Sequence, residues 1–274
     1  MRRIVLAMVM MAGAVQGAQA ADYPDDAPIL RGSFRDGLTT RVTRWQGFYV
    51  GGQAATGSSD MDFSGATSDM VARLLVNTTI EGDGHVSQWP VLGKKSQKGN
   101  GFGGFAGYNS QWDDVVLGLE ANYIHGGFGG SDASSMSRFF TDSNNFTDAV
   151  TYTAASSFKI TDMGSVRARA GYVWGSFLPY IFGGVSLGQA NVMRSATVSG
   201  TQTNNVAPFQ VVPFSVSETT TQNNRFIYGY AAGLGVDMML FGNLFVRAEW
   251  EYLKFAGPID TSINTLRGGV GYKF

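Results

Sequence analysis

The chain offers two imidazoles for chemistry, His85 and His125. Hydrolysis through a serine nucleophile needs a histidine within hydrogen-bond reach of the serine and an acid to orient the ring. Two positions beyond His125 stands Gly127, and the nearest serine is Ser131, so no such arrangement is written locally. Cysteine is absent, which removes disulfides and thiolate-bound metal. Asp113-Asp114 pairs two carboxylates, but acidic residues between strands ordinarily cap and solubilise a turn. Gly101-Phe102-Gly103-Gly104-Phe105 has the glycine content of a phosphate cradle, yet no helix-forming pattern follows to supply the dipole end a cradle needs. Glycines in a tightly curved strand account for it better. Lys94-Lys95-Ser96-Gln97-Lys98 is a basic run that could hold phosphate groups or simply solvate a loop edge. The expectation is a chain without a catalytic site, a metal site or a cofactor, and not an enzyme.

Charges that recur at alternate positions say more, because period two is the signature of a strand with two unlike faces. Val115, Leu117, Leu119, Ala121 and Tyr123 oppose Glu120 and Asn122. Val166, Ala168, Ala170, Tyr172 and Trp174 oppose Arg167 and Arg169. Phe226, Tyr228, Tyr230, Leu234 and Val236 oppose Gly229, Ala231, Gly233 and Asp237, and Leu244, Val246, Ala248, Trp250 and Tyr252 oppose Arg247, Glu249 and Glu251. In the last stretch, Leu266, Gly268, Val270, Tyr272 and Phe274 oppose Arg267 and Lys273. Alternation alone does not say which face is inside. A soluble barrel buries the apolar face, and a transmembrane barrel turns it to lipid and keeps the charges in its lumen.

The front of the chain bears on that choice. Met1 to Ala20 has a basic start in Arg2 and Arg3, an apolar middle from Ile4 to Val15 and a small-x-small site at Ala18-Gln19-Ala20, the layout of a cleavable signal peptide. Its removal would take the formal net charge from −1 to −3, a balance that suggests no nucleic-acid partner. Residues 21–44, with Pro24 and Pro28 among several aspartates, predict a loose periplasmic leader, and 45–274 one barrel domain. No later segment has eighteen uninterrupted apolar residues, while 37 glycines and 13% aromatic residues suit closely paired strands.

Eight strands are expected: Trp45 to Gly57, Gly99 to Ser110, Val115 to Gly126, Phe158 to Trp174, Pro179 to Val192, Arg225 to Asp237, Leu244 to Phe255 and Ile263 to Phe274. Strands one, two and five carry apolar residues on both parities, so their facing stays open. Connections after strands two, four and six read as tight turns. Those after one, three and five (58–98, 128–157 and 193–224) read as long polar loops. Short periplasmic turns and long extracellular loops are what bacterial outer-membrane barrels show. Aromatic residues predict two belts, with Trp45, Phe48, Tyr172, Trp174, Tyr180, Phe182, Tyr272 and Phe274 at the periplasmic end and Tyr123, Phe226, Tyr228 and Tyr252 near the outer end. The fold class expected is all-β, an eight-stranded antiparallel transmembrane β-barrel.

Trp45-Gln46-Gly47-Phe48-Tyr49-Val50-Gly51-Gly52, Leu117-Gly118-Leu119-Glu120-Ala121-Asn122-Tyr123, Arg167-Ala168-Arg169-Ala170-Gly171-Tyr172 and Arg267-Gly268-Gly269-Val270-Gly271-Tyr272-Lys273-Phe274 together resemble the alphaproteobacterial major outer-membrane protein family. These are small porin-like, surface-antigen barrels that include haemin-binding members. The pattern Arg267-x-Gly269-x-x-Tyr272-x-Phe274 also resembles the C-terminal signal by which such proteins address the outer-membrane assembly machinery. The resemblance implies a bacterial outer-membrane location, with membrane lipid, lipopolysaccharide and the assembly machinery as partners, and loops that could meet an extracellular ligand or host surface. Haemin, if bound, would draw on His85, Tyr152 or Met136 as axial ligand. The residues 58–98 form a longer loop than the family leads one to expect. A structural or surface-interaction role is the leading expectation, with a narrow diffusion pore second and a haemin receptor third. The lumen charges expected are Glu120, Arg167, Arg169, Arg247, Glu249, Glu251, Arg267 and Lys273, with Asp237 beside them.

Overall fold

In the computed structural model, residues 43–257 and 259–274 are described. The expected signal peptide and nearly all of the leader lie outside them. Strands β1 (Gly47–Asp62), β2 (Lys94–Trp112), β3 (Val115–Thr141), β4 (Phe146–Tyr172), β5 (Phe177–Asn204), β6 (Val211–Phe241), β7 (Leu244–Ala256) and β8 (Asp260–Lys273) each pair antiparallel with the next. β8 returns to β1 over Tyr49↔Lys273 to Asp62↔Asp260 and closes the barrel, which leaves no edge in the membrane-height wall.

Parity decides the facing. Leu117, Leu119, Tyr123, Val166, Tyr172, Ile181, Val185, Phe226, Tyr228, Leu266 and Val270 are exposed on the outer wall, while Glu120, Arg167, Arg169, Asp237, Arg247, Glu249, Glu251 and Arg267 are buried within it. The strands whose facing was open resolve the same way. β1 turns Phe48 and Val50 out and Tyr49 and Gln53 in; β2 turns Phe102 and Tyr108 out and Phe105 and Asn109 in; β5 turns Ile181 and Leu187 out and Tyr180 and Phe182 in. Trp45, Tyr180 and Phe182 therefore do not belong to the periplasmic belt. All three point into the barrel, where rings are needed to fill its lower end, and Phe48, Tyr172, Trp174, Tyr272 and Phe274 remain outside. The three tight turns stand where the sequence places them, with Asp113, Gly175 and Gly242 supplying the left-handed residue at φ of 50°, 60° and 59°.

The long connections differ from expectation. Most of 128–157 and 193–224 is strand: β3 to β6 run on past the barrel as a four-stranded sheet. Their Ser- and Thr-rich composition reads as loop, but it is the composition of a wet strand face. Ser137, Thr151, Ser199 and Ser215 stand side by side across all four strands, as do Ser135, Thr153, Thr197 and Ser217. Threonine is a good strand former, and pairing meets backbone groups that a loop would leave to water, on both sides of β4 and β5 and on one side of β3 and β6. Register shifts at His125/Phe128, Ile160/Asp162 and Ala190/Val192 mark where the closed wall gives way to this extension.

The first connection is shorter than expected, because β1 runs on to Asp62 and β2 starts at Lys94. It is also folded, with helices α1 (Ser68–Leu74) and α2 (Thr79–Gly84) and a 3-10 turn at Val86–Gln88. Thr78 caps α2 by accepting the Glu81 amide at 3.3 Å, and Glu81 accepts the Ser87 amide at 3.0 Å. The insert buries Phe63, Met70, Val71, Leu75, Ile80, Val86 and Trp89 in one cluster with Tyr152, Phe158, Val192 and Val198 of the extension and Ile124 and Ile263 of the barrel wall. Polar clasps fix its rim. Arg194 donates to the Ala66 carbonyl (2.9 Å) and to Asp69 (3.0 Å), Arg73 donates to Glu218 (2.9 Å), and Asp132 accepts the Gly93 amide (2.8 Å). Asp83 accepts the Ser143 amide (2.8 Å), and the Arg138 guanidinium sits 4.9 Å from the Trp89 ring centre.

The Gly93 amide holds the Asp132 carboxyl below the usual carboxylate range, helped by Lys95, and the Ser143 amide does the same for Asp83. Each contributes stability above the ordinary carboxylate range and loses it as pH falls through the depressed folded value. Asp148 has the opposite sign, since burial raises its pKa, but it lies outside the clasps. Acidification through that range should therefore loosen the insert while the barrel stays closed. Limited proteolysis across a pH series should show cuts appearing first at residues 63–93, and Asp132→Asn should move their onset toward neutral pH.

Candidate functional site

The barrel interior is the only place where many reactive side chains converge among the described residues. Four arginines, Arg167, Arg169, Arg247 and Arg267, face four carboxylates, Glu120, Asp237, Glu249 and Glu251, all buried. Five strands contribute: β3 gives Glu120, β4 the Arg167 and Arg169 pair, β6 Asp237, β7 Arg247, Glu249 and Glu251, and β8 Arg267. Each residue takes an inward parity, so the alternation that puts Leu119 and Val166 outside obliges these charges to meet.

Their geometry is that of a dense network in which every guanidinium meets at least one carboxylate, with Arg169 Nε and Asn122 Nδ2 left without a partner. Arg167 donates to Glu120 Oε1 (2.5 Å), to both oxygens of Glu249 (2.6 and 2.7 Å) and to Glu251 (3.3 Å). Arg247 forks onto Asp237 (2.8 and 3.0 Å) and reaches Glu120 Oε2 at 2.7 Å. Arg169 donates to Asp237 at 2.7 Å and to Glu120 at 3.3 Å. Arg267 pairs with Glu251 and donates to Asn122 at 3.0 Å. Two tyrosine hydroxyls complete the acceptors: Tyr49 donates to Glu120 (2.7 Å) and Tyr180 to Glu249 (2.6 Å).

Rings stack on the guanidinium planes. Phe182 lies 3.9 Å from the Arg167 guanidinium carbon, Tyr180 lies 3.8 Å from that of Arg169, and Phe105 lies 4.0 Å from that of Arg247. Such contacts strengthen when desolvated. Glycine makes room for the rings. A Cβ at Gly51 would strike the Phe105 ring, one at Gly233 that of Phe182 and one at Gly235 that of Tyr180. Below the charges, Trp45, Tyr49, Phe105, Val116, Leu178, Tyr180, Phe182 and Phe245 form one apolar cluster. Above them sits the larger cluster topped by the insert. The charge layer is thus enclosed by apolar packing at both ends.

Of the expected lumen charges, Glu120, Arg167, Arg169, Arg247, Glu249, Glu251 and Arg267 come together, with Asp237 among them. Lys273 does not. It lies at the turn end, one residue from the terminus, and its Nζ reaches the Gln46 carbonyl at 3.4 Å, beyond the ring of carboxylates. Without it the charges balance four against four. Sequence reading set Asn122 on the same face as Glu120 but missed Tyr49, Tyr180, Phe105 and Phe182 as members. Those on β1, β2 and β5 lie where both parities are apolar, and only the glycines facing them hinted which rings turn inward.

The other candidates stay apart. His125 is exposed on the outer wall with Nδ1 2.8 Å from Asp162, and no serine hydroxyl bonds it. His85 caps α2 on the exposed side of the insert. Tyr152 is buried with its hydroxyl 2.6 Å from that of Thr67, and Met136, its cross-strand partner, is half-buried against the same cluster, whereas His85 is exposed. In the C-terminal motif, Arg267 belongs to the network, a Cβ at Gly269 would meet the Gly52 carbonyl, and the Tyr272 and Phe274 rings stand 5.2 Å apart on the outer wall.

A closed eight-stranded barrel with an apolar, aromatic-belted exterior and a charged interior is a transmembrane β-barrel of the bacterial outer membrane. The chain belongs to the outer membrane protein beta-barrel domain family, whose model matches residues 5–274. It is 26% identical over 172 residues to the 25 kDa outer-membrane immunogenic protein of Brucella ovis, covering 63% of this chain and 62% of that protein. To the 22 kDa outer membrane protein of Rhizobium leguminosarum bv. viciae it is 26% identical over 186 residues, 64% of this chain and 67% of that one. The alignment to the Brucella relative thus spans less than two thirds of its length. Among solved structures it is similar to Ail, the attachment invasion locus protein of Yersinia pestis, at 17% identity and a TM-score of 0.34, over 84% of this chain and 99% of that one. The chain is placed in the outer membrane.

Removing one member of the network strands its partners. Arg247→Ala would leave Asp237 and Glu120 short of a donor in an enclosed layer, a defect of about 3–5 kcal/mol for a broken buried pair. Arg247→Lys should recover only part, since an ammonium cannot fork onto Asp237. Denaturant unfolding in lipid vesicles, followed by heat-modifiable gel mobility, should rank parent, Arg247→Lys and Arg247→Ala in that order.

Proposed function

We propose that this protein is a sealed structural barrel of the outer membrane that presents an extended surface, rather than a conduit. The observation that carries the reading is the balanced four-by-four charge layer held between two apolar clusters. An open pore keeps a wetted, often charge-biased lumen, whereas here each guanidinium is spent on carboxylates and stacked on a ring or bonded to Asn122. The insert closes the outer mouth over the upper cluster. The surface offered outward is the wet face of the β3–β6 extension and the exposed side of the insert, where contacts with lipopolysaccharide, an extracellular ligand or a host surface would be made. The immunogenic Brucella relative named above is consistent with a chain whose outer part is seen by antibodies.

Purified protein in planar bilayers should give at most rare, small openings. Arg167→Ala, which takes a donor from Glu120, Glu249 and Glu251 together, should make the barrel leak or fall in stability. A steady conductance from the parent protein would reject the sealed reading in favour of a narrow diffusion pore.

Tyr272 and Phe274 we assign to recognition by the assembly machinery. Both rings are exposed on the outer wall at the periplasmic end, and the backbone amide of Phe274 is tied to the Phe48 carbonyl at 2.8 Å. Deleting Phe274 should leave exported but unfolded, protease-sensitive chain with signal-peptide cleavage unaffected, as read by fractionation and mobility on unheated gels. Normal outer-membrane levels of the truncated chain would argue against this role.

A further inference from the structure

We propose that the outer wall over β2, β3 and β4 carries a site for the phosphate headgroup of an anionic lipid in the surrounding outer leaflet. Height comes first. Tyr123, exposed on the outward face, belongs to the upper aromatic belt, and exposed Phe102 pairs with His125 one step above it, so these residues stand at headgroup level. Directly above Tyr123 on the same face is His125, whose ring meets that of Phe102 edge-on at 5.8 Å.

The next outward positions on β3 have no side chains, because they are Gly127 and Gly129. A Cβ at Gly127 would meet nothing but the Lys159 Cε, at 3.5 Å, while one at Gly129 would strike the β4 backbone at Phe158, so the wall has an open trough at Gly127 that the neighbouring strand closes at Gly129. Its two banks are basic. Register pairs Asn100 with Gly127 and Gly129 with Lys159, which puts Lys98, two residues beyond Asn100, on the β2 bank and Lys159 on the β4 bank. At Asn100–Gly127, the last pair of the β2–β3 ladder, the β2 and β4 backbones are roughly 10 Å apart, two strand spacings, a gap that lysine stems can span to reach one anion.

Among the described residues, Lys94, Lys95 and Lys254 each have a carboxylate partner, whereas neither Lys98 nor Lys159 has one. Asp162, the carboxylate at the foot of the trough, accepts the Tyr123 hydroxyl at 2.5 Å and lies 2.8 Å from His125. Two unpaired ammonium groups over bare backbone, fixed at headgroup height, fit a lipid phosphate, with its acyl chains lying down the wall past Phe102 and Tyr123. This site is independent of whether the lumen is sealed.

Folded full-length protein in zwitterionic detergent, mixed with phosphatidylglycerol or phosphatidylcholine, would be read by native mass spectrometry for lipid retained. The parent should prefer phosphatidylglycerol, by roughly fivefold per lysine engaged. Lys98→Gln with Lys159→Gln should bring the ratio near one, and Lys94→Gln, on the same strand but already paired, should leave it unchanged. Gly127→Leu keeps both lysines and fills the trough from a position whose Cβ meets no backbone, and should also lower retention; heat-modifiable mobility confirms that each variant is folded. Undiminished preference in the double variant and in Gly127→Leu would overturn the site. Displacement of the lipid by millimolar inorganic phosphate would make it a free-anion site and overturn the lipid assignment.

Discussion

In a closed barrel of eight strands every inward side chain must find its partners inside, because neither lipid nor bulk water can supply them. The eight charges of this lumen make that constraint severe. An unpaired guanidinium or carboxylate there costs several kcal/mol, so the charges are tolerable only as a complete set. Completeness then dictates much else. Arg167 must be level with Glu120 across β3 and β4, a relation the register supplies directly, and Arg247 must face Asp237 across β6 and β7, which it does as well. A slip of one residue on any of these strands would turn a charge to lipid and an apolar side chain into the charge layer. The network therefore specifies register more than it adds net stability, which is the better-attested use of buried ion pairs.

The apolar clusters on either side follow from the same need. A charge layer open to water would hydrate, and its hydrogen bonds would be worth little. Enclosed, they strengthen one another. Glycine and aromatic residues divide the work of enclosure. Wherever a ring lies across the lumen, the strand beneath it gives up its side chain, as Gly233 does for Phe182 and Gly271 for Phe245. The outer end is too wide for rings alone, and there the β1–β2 insert provides Met70, Val71, Leu75 and Trp89 as a folded stopper.

How far this was legible in the sequence depended on contrast between the two faces of a strand. β3, β4, β6, β7 and β8 set leucine, tyrosine or valine against arginine or glutamate, and their facing could be read. β1, β2 and β5 have apolar residues on both sides because they line the aromatic end of the lumen, so outward Phe48 and inward Tyr49 looked alike. The extension was hidden for a different reason. Ser and Thr on its outer face resemble loop composition, and its inner apolar residues, such as Val150, Tyr152 and Ala154, face a partner brought in from residues 63–93, far away in sequence. A short-range pattern does not reveal a partner at that distance. Lys273 was misplaced because parity names a face and not a height; at the rim, an inward position already opens to water.

The order of layers also bears on why an ionic interior was kept where an apolar one would serve stability as well or better. Replacing buried ion pairs by packed apolar residues is often neutral or favourable. But a lumen apolar throughout, inside a wall apolar on its outer face, would make strands without alternation, and nothing would then tell Leu117, Leu119 and Ala121 from Val116, Glu120 and Asn122. Export makes this acute, since the chain has to cross an aqueous compartment before it inserts, and uniformly apolar strands would aggregate there. Four arginines and four carboxylates keep five of the eight strands amphipathic in transit, and they neutralise one another once the barrel closes. The ionic layer then gains its hydrogen bonds only in the closed state, so the interaction that is weakest as a source of net stability is the one best placed to make closure all-or-none.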